Sequence, residues 1–337
     1  MRHDSCGSAR EIHPPIFEVS MRRHALTYRS FGRPLEKLIM ETTEVPRMGE
    51  GKLRVKMTCA PVNPSDLIPI SGAYSHRIRL PAVAGYEGVG RVIDAPRKYA
   101  YLVGKRVLPL RGEGTWQTIL DCDSALAVPV PDAISDAVAA RAYINPLAAL
   151  TMLETWPVKG KRVLLSGAGS NCADYLGAWA YHHGASEVVG IYRSESRVTR
   201  LEKMGIKPVS MQDTSQILYV ARGTDLVFDA LGGPIATNIL QSMAPDSTFI
   251  AYGLLTGQAI RLDFKPLAHY RRFHLRDSLA RVSAEAWQHK FLDIWRLLSQ
   301  TDMPGYQRFP AQGWRQAIEM AFCPSGQKVL LDFADLA

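Results

Sequence analysis

An apolar run, Arg162-Val-Leu-Leu165, empties into Ser166-Gly-Ala-Gly-Ser-Asn-Cys-Ala173 and then into a helical pattern. A strand that turns through small residues into a helix presents unbonded backbone amides and the positive end of the helix dipole, which together suit a pyrophosphate. Gly167 and Gly169 supply two of the three glycines of a dinucleotide fingerprint, Cys172 takes the place of the third, and Ala173 is the nearest small residue for packing the helix. Gly167, Gly169, Ser170, Asn171 and Cys172 are therefore candidate cofactor contacts, against the alternative of a purely structural strand-helix turn. The tip of the next strand, Ile191-Tyr192-Arg193-Ser194, carries no carboxylate for a ribose 2′-hydroxyl. Arg193, Ser194 and Arg197 instead offer charge-assisted hydrogen bonds to a 2′-phosphate, so NADPH is expected over NADH unless Arg193 is only a solvated loop residue.

Those residues need a scaffold, and the pattern along the chain supplies one. Up to about Val130 the text is short and strand-like, with Leu53 to Cys59, Gly88 to Ile93 and Gly104 to Leu108 as examples, and frequent prolines forbid long helices. Alternation follows: helix Asp136 to Leu153, strand Arg162 to Leu165, helix Asp174 to His183, strand Glu187 to Tyr192, helix Arg197 to Met204, a strand near Pro208, strand Thr224 to Asp229, helix Ile235 to Met243 and strand Thr248 to Tyr252. Such βαβ repetition predicts an α/β fold with a doubly wound parallel sheet. Helices Ala284 to Leu298 and Gln312 to Ala321 and a strand Lys328 to Phe333 close the chain and need not join that sheet.

The 337 residues are 47% hydrophobic and 21% charged, enough for a sizeable core in two domains and too apolar for a disordered chain. The net charge of +8 suits an anionic partner, but the basic residues are scattered, so nucleic acid is not expected. The most apolar stretch, Ala137 to Leu153, is interrupted by Arg141, Asn145 and Pro146 and does not read as a membrane span. Five scattered cysteines without CxxC or His companions point to reduced thiols, hence a soluble cytoplasmic protein, and to no metal site. Residues 1–20 lack periodicity and an apolar signal core, and read as a poorly ordered leader or a misplaced start.

Several motifs share one order: Val62-Asn-Pro-Ser-Asp-Leu67, Gly72-Ala-Tyr74, Leu80-Pro81, Gly85-Tyr-Glu-Gly-Val-Gly90, Gly114-Thr-Trp116, Asn145-Pro146, the turn at Gly167, Asp229-Ala-Leu-Gly-Gly233 and Tyr252-Gly253. In these the chain resembles the zinc-independent medium-chain dehydrogenase/reductase family, most closely its 2-enoyl-thioester reductases and the related NADPH quinone reductases. The resemblance implies a partly open, GroES-like β-barrel catalytic domain, residues 21–143 and 285–337, around a Rossmann domain, residues 144–284, and a homodimer joined through the nucleotide domains. It implies reduction of an activated carbon-carbon double bond, with an enoyl thioester on coenzyme A or an acyl carrier as substrate. Tyr74 matches the acid near the substrate α-carbon. Asn63 and Asn145 match residues that orient ring and substrate, Trp116 would wall the acyl pocket, and Tyr252-Gly253 would lie along the cofactor.

Where zinc-dependent relatives carry a His beside the motif glutamate and a Cys in the earlier turn, this chain has Tyr86 and Asn63-Pro64, so Tyr86 and Glu87 read as packing and hydrogen-bonding residues. Asn171 and Ala173 stand where many relatives have glycine, and Leu147-Ala-Ala149 where a Thr often follows Asn-Pro. Loop Phe264 to Arg281 is basic, through Lys265, Arg271, Arg272, Arg276 and Arg281, and would suit an acyl-carrier protein or coenzyme A phosphates as well as a plain solvated face. The other assignments left open are Tyr74 as a packed loop aromatic, Asn63 as a turn cap, quinone as the acceptor, and a cofactor-binding protein with little turnover.

Overall fold

The structure, a computed structural model, describes residues 21–73, 75–280, 282–323 and 327–336. The leader expected at 1–20 and the candidate acid Tyr74 lie outside the described residues.

The middle of the chain forms a six-stranded parallel sheet in the order Lys207–Ser210, Glu187–Tyr192, Arg162–Ser166, Leu226–Asp229, Thr248–Ala251, His269–Arg272. This is the doubly wound 3-2-1-4-5-6 order, whose switch point lies between the first and fourth strands. Period-two alternation feeds both faces: Val163 and Leu165 enter one core while Leu164 enters the other. The sixth strand, His269–Arg272, was not expected, because its histidine and two arginines hide the strand pattern. Helix Thr214–Arg222 was also missed, although Asp213 caps it by accepting from the Gln216 amide at 2.9 Å.

The front of the chain builds two antiparallel arrangements. Strands Leu38–Glu44, Arg22–Tyr28 and Ala82–Val83 form one sheet. The other runs Tyr306–Pro310, Lys328–Asp332, Lys52–Pro61, Val89–Asp94, Arg106–Leu108, Val128–Pro129, with Ile119–Asp123 also paired to Lys52–Pro61. Its end strands do not pair with each other, so this GroES-like sheet is not closed into a barrel. The C-terminal strand thus returns to the front, where Leu330 pairs with Pro61 and Leu331 with Ala60.

The helix expected from Asp136 to Leu153 is two helices, Asp136–Ala139 and Ile144–Thr155. Pro146 explains the break, since a proline has no amide to donate and fits only a first turn, where none is needed. The second helix therefore begins at Ile144, beside Asn145.

Candidate active site

Gly167 leaves strand Arg162–Ser166 with φ of 64°, a left-handed turn that an L side chain resists. The chain then enters helix Asn171–His182, three residues earlier than expected, with Ser170 as N-cap accepting from the Ala173 amide at 3.3 Å. Ala173 is buried in this helix as expected, and Gly177 adds a close approach: a β-carbon there would run into Ile206 and stand 3.3 Å from Leu165 Cδ1. Asp229, at the end of strand Leu226–Asp229, braces the turn. Its carboxylate accepts from the Ser166 hydroxyl and from the amides of Leu231 and Gly232 at 3.2 and 3.0 Å, while Ser166 Oγ accepts from the Ala230 amide.

The residues expected to hold a dinucleotide come together at this turn. Arg197 lies against Gly169, and Arg193 is exposed with no ion-pair partner among the described residues. Ser194 shares a hydrogen bond with Ser196 at 2.9 Å. The hydroxyl of Tyr252 is buried beside Ser170 and Cys172 yet has no hydrogen bond of good geometry to either. An orphaned buried hydroxyl, a left-handed glycine, a capped helix start and the arginines Arg193 and Arg197 at the strand tip suit a phosphorylated dinucleotide. The residues fit the group. Cys172 adds little reactivity, since burial pushes its thiol up to about 12.

A second constellation sits where the front meets helix Ile144–Thr155. Glu87 is buried, and its carboxylate accepts from the amides of Tyr143 and Ile144 at 3.1 and 2.8 Å, capping that helix. Its other oxygen accepts from Asn63 Nδ2 at 2.8 Å. Asn63 also heads the short helix Pro64–Leu67, with its backbone amide donating to Asp66 at 2.8 Å, and Asp66 accepts again from the Tyr86 amide at 2.9 Å. Burial pushes the Asp66 carboxyl up to about 7, with the nearby Glu87 charge adding to it, and burial raises Glu87 as well. The two constellations touch, since Cys172 Sγ lies 3.9 Å from the Asn145 carbonyl.

Two sequence assignments change character. Asn63 is 2% exposed, with its Oδ1 accepting from Lys328 and its Nδ2 donating to Glu87, so its amide orients neighbouring groups. Trp116 is fully buried, donating to the Pro61 carbonyl at 3.1 Å, and props the Asn63 turn from behind instead of walling a pocket. Ser65, in that turn, was missed; its hydroxyl is buried without a hydrogen-bond partner. Among the described residues no group of three His, Cys, Asp or Glu could hold a metal.

Fold and site together define a two-domain, dinucleotide-binding oxidoreductase scaffold. Residues 174–299 match the zinc-binding dehydrogenase family and residues 49–132 the alcohol dehydrogenase GroES-like domain. The mitochondrial enoyl-[acyl-carrier-protein] reductase of Rattus norvegicus is 28% identical over 89% of this chain and 86% of its own. A Bacillus thuringiensis structure provisionally named an NADPH:quinone reductase is 30% identical, covers 93% of this chain and 100% of its own, and superposes with a TM-score of 0.87. A complex with NADP and crotonyl-CoA shares the fold at TM-score 0.78 and 18% identity, over 93% of this chain and 100% of its own. The chain belongs to the zinc-independent medium-chain dehydrogenase/reductase superfamily, in the group of enoyl-thioester and quinone reductases.

The cytoplasmic placement does not stand: the rat relative and its counterparts from mouse to human are named mitochondrial enzymes. Among the described residues no helix is long and apolar enough to cross a membrane.

Proposed function

We propose that the chain reduces the activated double bond of a 2-enoyl thioester with NADPH, delivering hydride to the β-carbon and a proton to the α-carbon. The observation that carries this reading is the junction at which Cys172, in the pyrophosphate turn, meets the carbonyl of Asn145 at the Glu87-capped helix start. Gly167, Gly169, Ser170, Asn171, Tyr252 and Gly253 would hold the diphosphate region, Asn145 the nicotinamide end, and Arg193, Ser194 and Arg197 the 2′-phosphate. The bound cofactor supplies the hydride. The protein fixes the geometry of transfer and offers Tyr74 as the proton donor, a role that rests on the family resemblance. On this reading residues 144–284 form the nucleotide-binding unit, and 21–143 with 285–337 the catalytic one.

Two partner assignments go with it. Strand His269–Arg272 pairs on one side only and is flanked by exposed Leu254, Leu255, Phe264 and Leu267, which supports a second copy of the chain at that sheet edge. Lys265, Arg271, Arg272 and Arg276 are exposed around it and favour an acidic acyl carrier. Light scattering coupled to gel filtration tests the first, and a pull-down at graded salt tests the second.

The deciding experiment is NADPH oxidation against crotonyl and longer enoyl thioesters beside simple quinones. A kcat/KM higher on thioesters supports the reading. Turnover confined to quinones replaces it with quinone reduction, and NADPH binding without turnover on any acceptor replaces it with a cofactor-binding role.

A further inference from the structure

Lys328 is 5% exposed, at the start of the last strand, and sits opposite Asn63 when the pairing of Leu330 with Pro61 is continued through the Val62-to-Val329 backbone bond. Its ammonium donates to Asn63 Oδ1 and, at 2.8 Å, to the Val62 carbonyl. A buried lysine is costly unless its charge is compensated, and its position here is a chemical choice. With an ammonium on Oδ1 and the Glu87 carboxylate on Nδ2, the Asn63 amide has one satisfiable orientation.

We propose that Lys328 is a positioning residue of the active site, locking Asn63 and, through it, the Glu87 carboxylate that fixes the start of the helix bearing Asn145. The inference rests on the proposed function only in taking Asn145 as a nicotinamide contact. The chain of contacts runs from the C-terminal strand across the catalytic unit to the first turn of the next, over four links: Lys328 to Asn63, Asn63 to Glu87, Glu87 to the Tyr143 and Ile144 amides, and that turn to Cys172. Removing the cation leaves Asn63 Oδ1 without its donor and takes from Asp66 and Glu87 a positive charge that acts on both.

The groups facing this cluster are Asp66 from the Pro64–Leu67 helix, Glu87 from the loop before Val89–Asp94, Arg141 and Tyr143 ahead of helix Ile144–Thr155, and Tyr175 from helix Asn171–His182. Burial lowers the Lys328 ammonium to about 8, against the attraction of Glu87 and Asp66. The cation, and with it the locked arrangement, is therefore lost as pH rises through about 8.

Lys328→Met and Lys328→Arg test this in the full-length chain. In Lys328→Met, kcat for NADPH oxidation falls roughly tenfold to a hundredfold, as for a displaced reacting group, while the NADPH dissociation constant stays within about threefold. The wild type loses kcat through about pH 8. In Lys328→Arg, whose cation survives at any working pH, that loss moves up by about one pH unit or more. A wild-type kcat in Lys328→Met, or a basic limb unmoved in Lys328→Arg, overturns the proposal, and the second variant decides it should the first not fold. Melting temperature supplies a readout free of turnover: the deficit of Lys328→Met, which lacks the cation, grows as the Asp66 carboxyl ionises on the way up to about pH 7, whereas a deficit flat in pH marks lost packing alone and overturns it. Absence of turnover with every acceptor in the wild type would refute the functional reading and leave the melting comparison to judge Lys328.

Discussion

Arg197 lies across Gly169: a β-carbon there would stand 3.3 Å from Arg197 Cγ and 3.4 Å from its Nε. The guanidinium stem thus lies over the Gly169 turn, while Arg193 is exposed at the neighbouring strand tip. Truncating either arginine should remove a charge-assisted contact to the 2′-phosphate, about 1.5–3 kcal/mol or one to two decades in affinity. Arg193→Ala and Arg197→Ala are expected to lower kcat/KM for NADPH and leave NADH nearly untouched. An unchanged cofactor ratio in both would put the phosphate pocket elsewhere.

Asp66 sets a pH dependence of stability with a definite sign. Its carboxyl titrates near 3.8 when exposed and at about 7 in the fold, so the folded state holds a proton that the unfolded chain releases. The contribution is complete below the unfolded value and is lost as pH rises from about 4 to about 7. Glu87 is shifted in the same direction and acts alike. Melting curves from pH 4 to 8 are expected to show a shallower decline in Asp66→Asn than in the wild type. Parallel curves would mean that Asp66 does not titrate in this window.

Gly85 tests the support behind the Asn63 turn. It has φ of 89°, and a β-carbon would run into the Trp116 ring and stand 2.6 Å from Thr115 Oγ1. Trp116 cannot yield without giving up its bond to the Pro61 carbonyl, two residues before Asn63. Gly85→Ala is expected to cost about 3 kcal/mol from left-handed strain and overpacking together, read by urea denaturation. A cost below about 1 kcal/mol would show that the ring is free to move.

What the sequence made legible was what depends on local pattern. Buried strands such as Arg162–Ser166 are short apolar runs, and the turn after Ser166 is visible as small residues, so the parallel sheet and the glycine turn could be read directly. The family motifs located Asn63, Glu87 and Asn145 without revealing how they join. That linkage depends on Lys328, 265 residues from Asn63 in the chain, and only the return of the last strand beside Lys52–Pro61 brings the two together. A lysine opening the strand Lys328–Asp332, directly ahead of Val-Leu-Leu, was the single local hint. Trp116 was misjudged for a related reason: its residue type suits a pocket wall, and only the packing against Gly85 reveals a buried prop.

Tyr74 carries the last prediction, which follows from where charge develops. As hydride reaches the β-carbon the thioester carbonyl becomes enolate-like, and a donor at the α-carbon contributes roughly 10²–10⁴-fold. Tyr74→Phe keeps the ring and deletes the proton and its hydrogen bond. If Tyr74 is the acid, kcat on an enoyl thioester should fall by about two decades or more, while the NADPH dissociation constant and melting temperature should hardly change. Quinone reduction, where it occurs, should survive, because a quinone is protonated on oxygen and needs no donor aimed at a carbon. Full enoyl-thioester turnover in the variant would hand the proton to water or another side chain. Equal losses on both acceptors would assign Tyr74 to shaping the cleft.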